Sequence, residues 1–199
     1  MARGLLGIVK LILFIILLPI IIAVIAAFQK EVAALQEVNH IFWWGVLAYV
    51  IVHLFIFTPQ GLFQFWQGVF LEVCSFAGVV ANAIVLAVPI ITTILLLAYL
   101  LVTTIFQKPV IQQWLLFFTG FTLALHVVLG AQELYDEDES KLKGHYLFAL
   151  GLAFIANMLI VVGLFDLIFK DFTFRGFWDV AYDMAKDIYL RCAHLVHLK

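Results

Sequence analysis

Charge is what this sequence has least of. Of its 199 residues, 12% are Asp, Glu, Lys or Arg while 66% are hydrophobic, and the net charge at pH 7 is −2. That balance excludes a soluble domain of this length. The 11 basic residues are spread along the chain and form no basic arm, which excludes nucleic acid as a partner. Cysteine is down to Cys74 and Cys192, too few and too far apart for a disulfide framework or a thiolate metal site, so both read as buried or half-buried free thiols. HExxH, GxSxG, a Walker loop and CxxC are all missing. Nucleotide chemistry on a soluble face has nowhere to sit, because the longest polar connection is about a dozen residues. No ten-residue stretches alternate between polar and apolar, which argues against a membrane barrel. There is also no internal repeat.

What the chain does have is long apolar runs: Leu5–Phe28, Ile41–Phe57, Val69–Ile105, Trp114–Ala131 and Tyr146–Phe169. A helix needs roughly 20 such residues to cross the hydrocarbon core. The expectation is an all-α, polytopic transmembrane helical bundle over residues 1–170, followed by an amphipathic, cytoplasmic or interfacial C-terminal helix over 171–199. The first run follows Arg3 and Lys10 and ends near Ala23, Ala26 and Ala27, as a secretory signal does. Its apolar stretch is longer than a signal core, so a retained anchor is expected.

The third run, taken as one helix, would be about 55 Å long, too long for a bilayer without a break. Ser75, Gly78, Asn82 and Pro89 are the candidate interruptions. Splitting it into Gly61–Ala77 and Asn82–Ile105 gives six segments. Arg3, Lys10, Lys108, Lys170, Arg175, Lys186, Arg191 and Lys199 then share one side, against Lys30, Lys141 and Lys143: eight against three. Five crossings give seven against four. The positive-inside rule favours six, with both termini cytoplasmic in a bacterial inner membrane and the acidic turn outside. In the tail, Phe177, Ala181, Met184, Ile188 and Leu195 form one helical stripe, with Asp179, Asp183, Lys186, Asp187 and Arg191 off it.

Ionisable residues inside spans are costly and mark functional sites. His53 and His126 are the candidates, and Asn82 and Asn157 add intramembrane polarity. Two histidines at one depth could hold haem b or a metal. Six segments separate the two by roughly 15 Å along the membrane normal, whereas five put them at similar depth. Each imidazole could instead bond a neighbouring backbone or hydroxyl group. Downstream lies an acidic run of Asp136, Glu137, Asp138 and Glu139. Asp136, Asp138 and Ser140 start like a calcium loop, but Lys141 and Leu147 stand where its glycine and glutamate belong. A solvated acidic turn is the expectation.

FTPQGLFQFWQGVFLEV, with Pro59 and a helix from Leu62, then Gly78, Val79, Val80, Asn82 and Pro89, resembles the membrane-embedded zinc metalloproteases of the site-2 protease type, in particular their small bacterial relatives. GFTLALHVVLG and KGHYLFALGLAFIAN, with Gly120, His126, Gly144 and Asn157, extend the likeness over residues 43–157. The resemblance implies that Gln67, Gly68 and Leu71 stand where the first zinc histidine, the glutamate base and the second histidine would be, with His126 a retained polar position. Zinc needs two imidazoles at i,i+4, a third ligand and an open position, and Gln, Gly and Leu supply none of these. The expected function is therefore that of a non-catalytic relative without cofactor or metal. It would act as a scaffold or partner-binding subunit in the lipid bilayer, beside other membrane subunits or a second copy of itself. A haem or metal redox subunit using His53 and His126 is the second expectation. A transporter or channel subunit with His126, Asn82, Asn157 and Asp166 along its path is the third.

Overall fold

The computed structural model describes residues 2–35, 39–55, 60–74, 81–106, 112–138 and 143–197. Pro59, Ser75, Gly78, Val79, Val80, Lys108, Glu139, Ser140, Lys141 and Lys199 lie outside them, and Asn82 and Glu137 are placed by backbone alone. Among the described residues there are eight helices and no strand: α1 (Ala2–Ala34), α2 (Asn39–Phe55), α3 (Gln60–Val73), α4 (Ala81–Ala87), α5 (Ile90–Phe106), α6 (Gln112–Glu137), α7 (Gly144–Ile168) and α8 (Phe174–His197). By length and composition α1, α6 and α7 can each cross a membrane, and α2 and α5 are shorter apolar helices. This is an all-α integral membrane protein.

The third apolar run is interrupted twice, once between α3 and α4 and again at Val88–Pro89. At 14 residues α3 is about 21 Å long, short of the hydrocarbon core. Its polar positions at Gln64, Gln67 and Glu72 further set it apart from a span. Packing directions then correct the six-segment count. Gly144 lies against the backbone of Gly7, Gly151 against Phe14 and Leu17, and the Phe165 ring against Phe28, so α1 and α7 run the same way. Gly45 meets the Phe117 carbonyl, Gly120 meets the Phe42 carbonyl, and Tyr49 packs on Phe121, Leu125 and Leu129, so α2 and α6 also run the same way. Six alternating crossings would make both pairs antiparallel. Five crossings, with α3 as a side helix and α4–α5 as one broken span, make them parallel.

Lipid tails are as apolar as leucine, so close contact rather than water exclusion holds such helices together. At the α2–α6 crossing a Cβ on Gly45 or Gly120 would fall on a backbone carbonyl of the opposite helix, and only glycine permits that approach. At one end of the bundle, rings from Phe28, Phe42, Phe165 and Phe172 meet with centroids 5.2 to 6.2 Å apart, tying α1, α2 and α7 to the turn before α8. Such pairs add about 0.5–1.5 kcal/mol each beyond the area they bury.

The tail does not lie apart from the bundle. Thr173 caps α8, accepting the Gly176 N–H at 3.1 Å, while Glu31 of α1 accepts the Thr173 N–H at 3.3 Å. From there α8 runs back along α1, where the Tyr189 hydroxyl donates to the Ile16 carbonyl. Phe177 and Ala181 are buried as the stripe predicts, but Met184 and Leu195 are exposed. The buried face therefore turns through Ala185 and Ile188. The outward face carries the pairs Arg175–Asp179 and Asp187–Arg191, the latter at 2.9 Å. Cys192 on this helix is exposed, not half-buried, while Cys74 is buried.

Candidate functional site

One face of α6 carries Thr119, His126 and Glu133 at seven-residue spacing, with Thr122 between the first two. Two turns of helix separate each from the next, about 10 Å. Along this stripe Thr122 meets α5, His126 meets α4 and Glu133 meets α3. Thr119 and Thr92 are fully buried, and Thr92 and Thr122 share a hydroxyl hydrogen bond of 2.9 Å between α5 and α6. The hydroxyls of Thr93 and Thr119 are buried with no partner among the described residues.

The break between α4 and α5 sits against this stripe. In a continuous helix the Leu86 carbonyl would accept the Ile90 N–H, but α4 ends at Ala87 and Pro89 enforces the stop. His126, 4% exposed, takes the freed oxygen: its Nε2 lies 3.1 Å from the Leu86 carbonyl. A carbonyl only accepts, so Nε2 carries the hydrogen, and in the neutral ring Nδ1 is left as an acceptor. The Phe63 ring of α3 packs edge-on against the imidazole at 5.6 Å.

Beside His126, a void of about 10 Å³ is lined by Leu86, Gly130, Leu150, Ala153, Phe154 and Asn157. That is about the least space that holds one water. Asn157 is 2% exposed and its Oδ1 has no partner among the described residues. A water-sized void is thus lined by the His126 imidazole, with Nδ1 as its acceptor, and by the Asn157 carboxamide, whose Oδ1 has no donor among the described residues. A water donating both its hydrogens satisfies that pair.

The expected site residues are only partly brought together. Gln67 and Leu71 line a cavity of about 440 Å³ with Val85, Leu86, Glu133 and His145, and His126 is not in it. Leu86 is common to both spaces. Gln67 Nε2 donates to Glu133 Oε2 at 2.8 Å. Gly68 is exposed, with open space beside it. His53 bonds at 3.4 Å to the Tyr49 hydroxyl on its own helix, so each of the two intramembrane histidines packs on its own aromatic ring. Asp166 is not on the polar stripe; its Oδ1 accepts the Phe174 N–H at 2.9 Å where α8 starts.

The acidic run is less loop and less solvated than expected. Helix α6 continues through Glu137, so Asp136 is helical. Asp138 is 5% exposed and accepts the Tyr146 N–H at 2.9 Å, while its carbonyl takes the Lys143 ammonium. Lys143, at φ 47, also sits over the Tyr135 ring at 4.0 Å. This side-chain network closes the α6–α7 turn. Glu133, which stands upstream of the run, proves to be the carboxylate at the cavity. A seven-residue polar period inside an apolar segment was the signal for it. Among the described residues no group of three or more His, Cys, Asp or Glu side chains is gathered as a metal would need.

In comparisons with models of known protein families, with curated proteins and with solved structures, the chain matches none.

Proposed function

We propose that the chain carries protons across the membrane through the interior of its bundle, without covalent catalysis. The observation that carries this reading is the buried pair of His126 and Asn157 around a one-water void beside the broken α4–α5 helix. Discontinuous helices expose backbone groups at membrane depth only where they line a cavity or a path. Chains of histidine and carboxylate inside spans are the usual parts of proton relays.

The donor set favours a proton over an alkali cation. One carboxamide oxygen and one imidazole nitrogen are too few ligands for a hard cation, which takes six or so oxygens. They suit a water that passes a hydrogen to Nδ1 while Nε2 releases one, so that the ring exchanges donor and acceptor roles. Glu133 stands two turns along α6 on the side where Gln64, Gln132 and Asp136 line a polar cleft of about 400 Å³. On the other side the hydroxyls of Thr122, Thr92, Thr93 and Thr119 continue the polar line.

Purified chain in liposomes holding a pH-sensitive dye, driven by a potassium diffusion potential, tests the reading. Wild type should acidify or alkalinise the lumen faster than empty vesicles, and His126→Ala should remove the difference. Wild-type flux no greater than that of empty vesicles refutes it.

A second reading keeps the metalloprotease resemblance, with the chain as a non-catalytic scaffold. The Gln67–Glu133 hydrogen bond favours it: Gln67 and Leu71 share a face of α3 and open onto a cavity that holds an acid and a histidine. Restoring Gln67→His, Gly68→Glu and Leu71→His together should then confer one tightly held zinc per chain, lost again on adding Glu133→Gln. A triple variant that folds and takes up no zinc removes this reading.

A further inference from the structure

We infer that the cavity between α3, α4, α6 and α7 binds a small zwitterion with an apolar tail, of the class of hydrophobic α-amino acids. Its lining carries two polar groups of opposite kind. Glu133 spends Oε2 on the Gln67 amide, which fixes the carboxylate and leaves Oε1 to receive an ammonium group. His145 also lines the cavity, and behind it Lys10 Nζ, outside the lining, lies 2.8 Å from His145 Nδ1. An ammonium only donates, so Nδ1 is the acceptor and the neutral His145 carries its hydrogen on Nε2. A donor N–H backed by a cation is a receptor for a carboxylate.

Apart from Gln67, the rest of the lining is apolar: Leu71, Ala83, Val85, Leu86, Leu134 and Ala149. The cavity, about 440 Å³, is at the small end of ligand sites and suits a compact solute with a branched side chain. Opposed charges with an apolar lining select against molecules that lack either charge, because each missing group leaves a charged side chain without its partner. Leu86 forms a wall of this cavity and also a wall of the His126–Asn157 void. A bound solute thus lies one side chain from the proton site. The coupling of solute to proton rests on the proposed function; binding itself does not.

Equilibrium binding of radiolabelled leucine to the full chain purified in detergent tests the inference. The competitors are 4-methylpentanoate, which lacks the ammonium, and 3-methylbutylamine, which lacks the carboxylate. Leucine should bind saturably, with each half-molecule weaker by about tenfold or more. Glu133→Gln should weaken leucine by a similar factor, and Lys10→Met should weaken it while sparing 3-methylbutylamine. His126→Ala, outside this cavity, should keep leucine binding. Absence of saturable leucine binding by wild type overturns the inference, and so does a half-molecule that binds as tightly as leucine. Leucine binding without proton flux leaves this site standing and removes the proton reading; flux without leucine binding does the reverse.

Discussion

Replacing Asn157 by leucine separates a structural from a functional account of the buried polar pair. Asn157 is 2% exposed and its Oδ1 has no partner among the described residues. A buried acceptor left unpaired costs about 1–3 kcal/mol, and a bridging water recovers part of that. Leucine removes the acceptor and fills the void of about 10 Å³ beside it. It also brings a branched end that could cost about 1 kcal/mol in strain. The net expectation for Asn157→Leu is therefore a gain of about 0–2 kcal/mol, read as an unchanged or raised thermal midpoint in detergent. Proton flux in liposomes should fall to the level of empty vesicles, because the water site is gone. Greater stability with lost activity is what a retained, costly polar group predicts. A variant that unfolds markedly earlier than wild type while conducting normally would refute the reasoning: Asn157 would then be holding the bundle together, and the relay would not pass through it.

Other consequences of the packing are open to simpler measurements. Gly120→Ala should lower stability by about 1–3 kcal/mol, because its Cβ would fall on the Phe42 carbonyl; Gly68→Ala, with open space beside it, should be neutral or stabilising by up to about 1 kcal/mol. Equal effects at the two positions on thermal unfolding would contradict the glycine crossing of α2 and α6. Asp138→Ala removes the acceptor for the Tyr146 N–H and should cost about 1 kcal/mol, with faster amide exchange at the start of α7. Unchanged exchange there would mean that the turn closes by other contacts. Cys192 should react with a bulky polar maleimide in the folded protein, and Cys74 only after denaturation. Labelling of Cys74 in the native state would show that α3 is not packed as described.

Membrane character and helical class were legible from hydropathy alone, because an apolar run of about 20 residues has few other uses. The count of crossings was not. Charge bias separates six segments from five by a net of one charge on each side, whereas the contacts of Gly7 with Gly144 and of Gly45 with Phe117 make both helix pairs parallel, which six alternating crossings do not allow. Such contacts join residues more than seventy positions apart, and no local pattern announces them. The same limit applies to Asp138. In sequence it is one more acid in a polar run, and only the fold of the turn brings the Tyr146 N–H and the Lys143 ammonium to it.

His126 was visible as an ionisable residue in a span, but its neighbours were not. The metalloprotease resemblance pointed to Gln67 and Leu71 as its former companions, and those two side chains open instead onto the cavity of Glu133 and His145. What meets His126 is a carbonyl left free at the break between α4 and α5, contributed by Leu86, whose side chain carries no polar signal at all. The period of Thr119, His126 and Glu133 was there to be read, yet a stripe on one helix says nothing about what it faces. Its meaning comes from α4 ending one turn short of where an unbroken helix would have used that oxygen. The helix break and the histidine are thus one device. The break at Pro89 parts the Ile90 N–H from the Leu86 carbonyl, the imidazole replaces it as donor, and the replacement, unlike a backbone amide, has a second nitrogen that can take a proton and give it up.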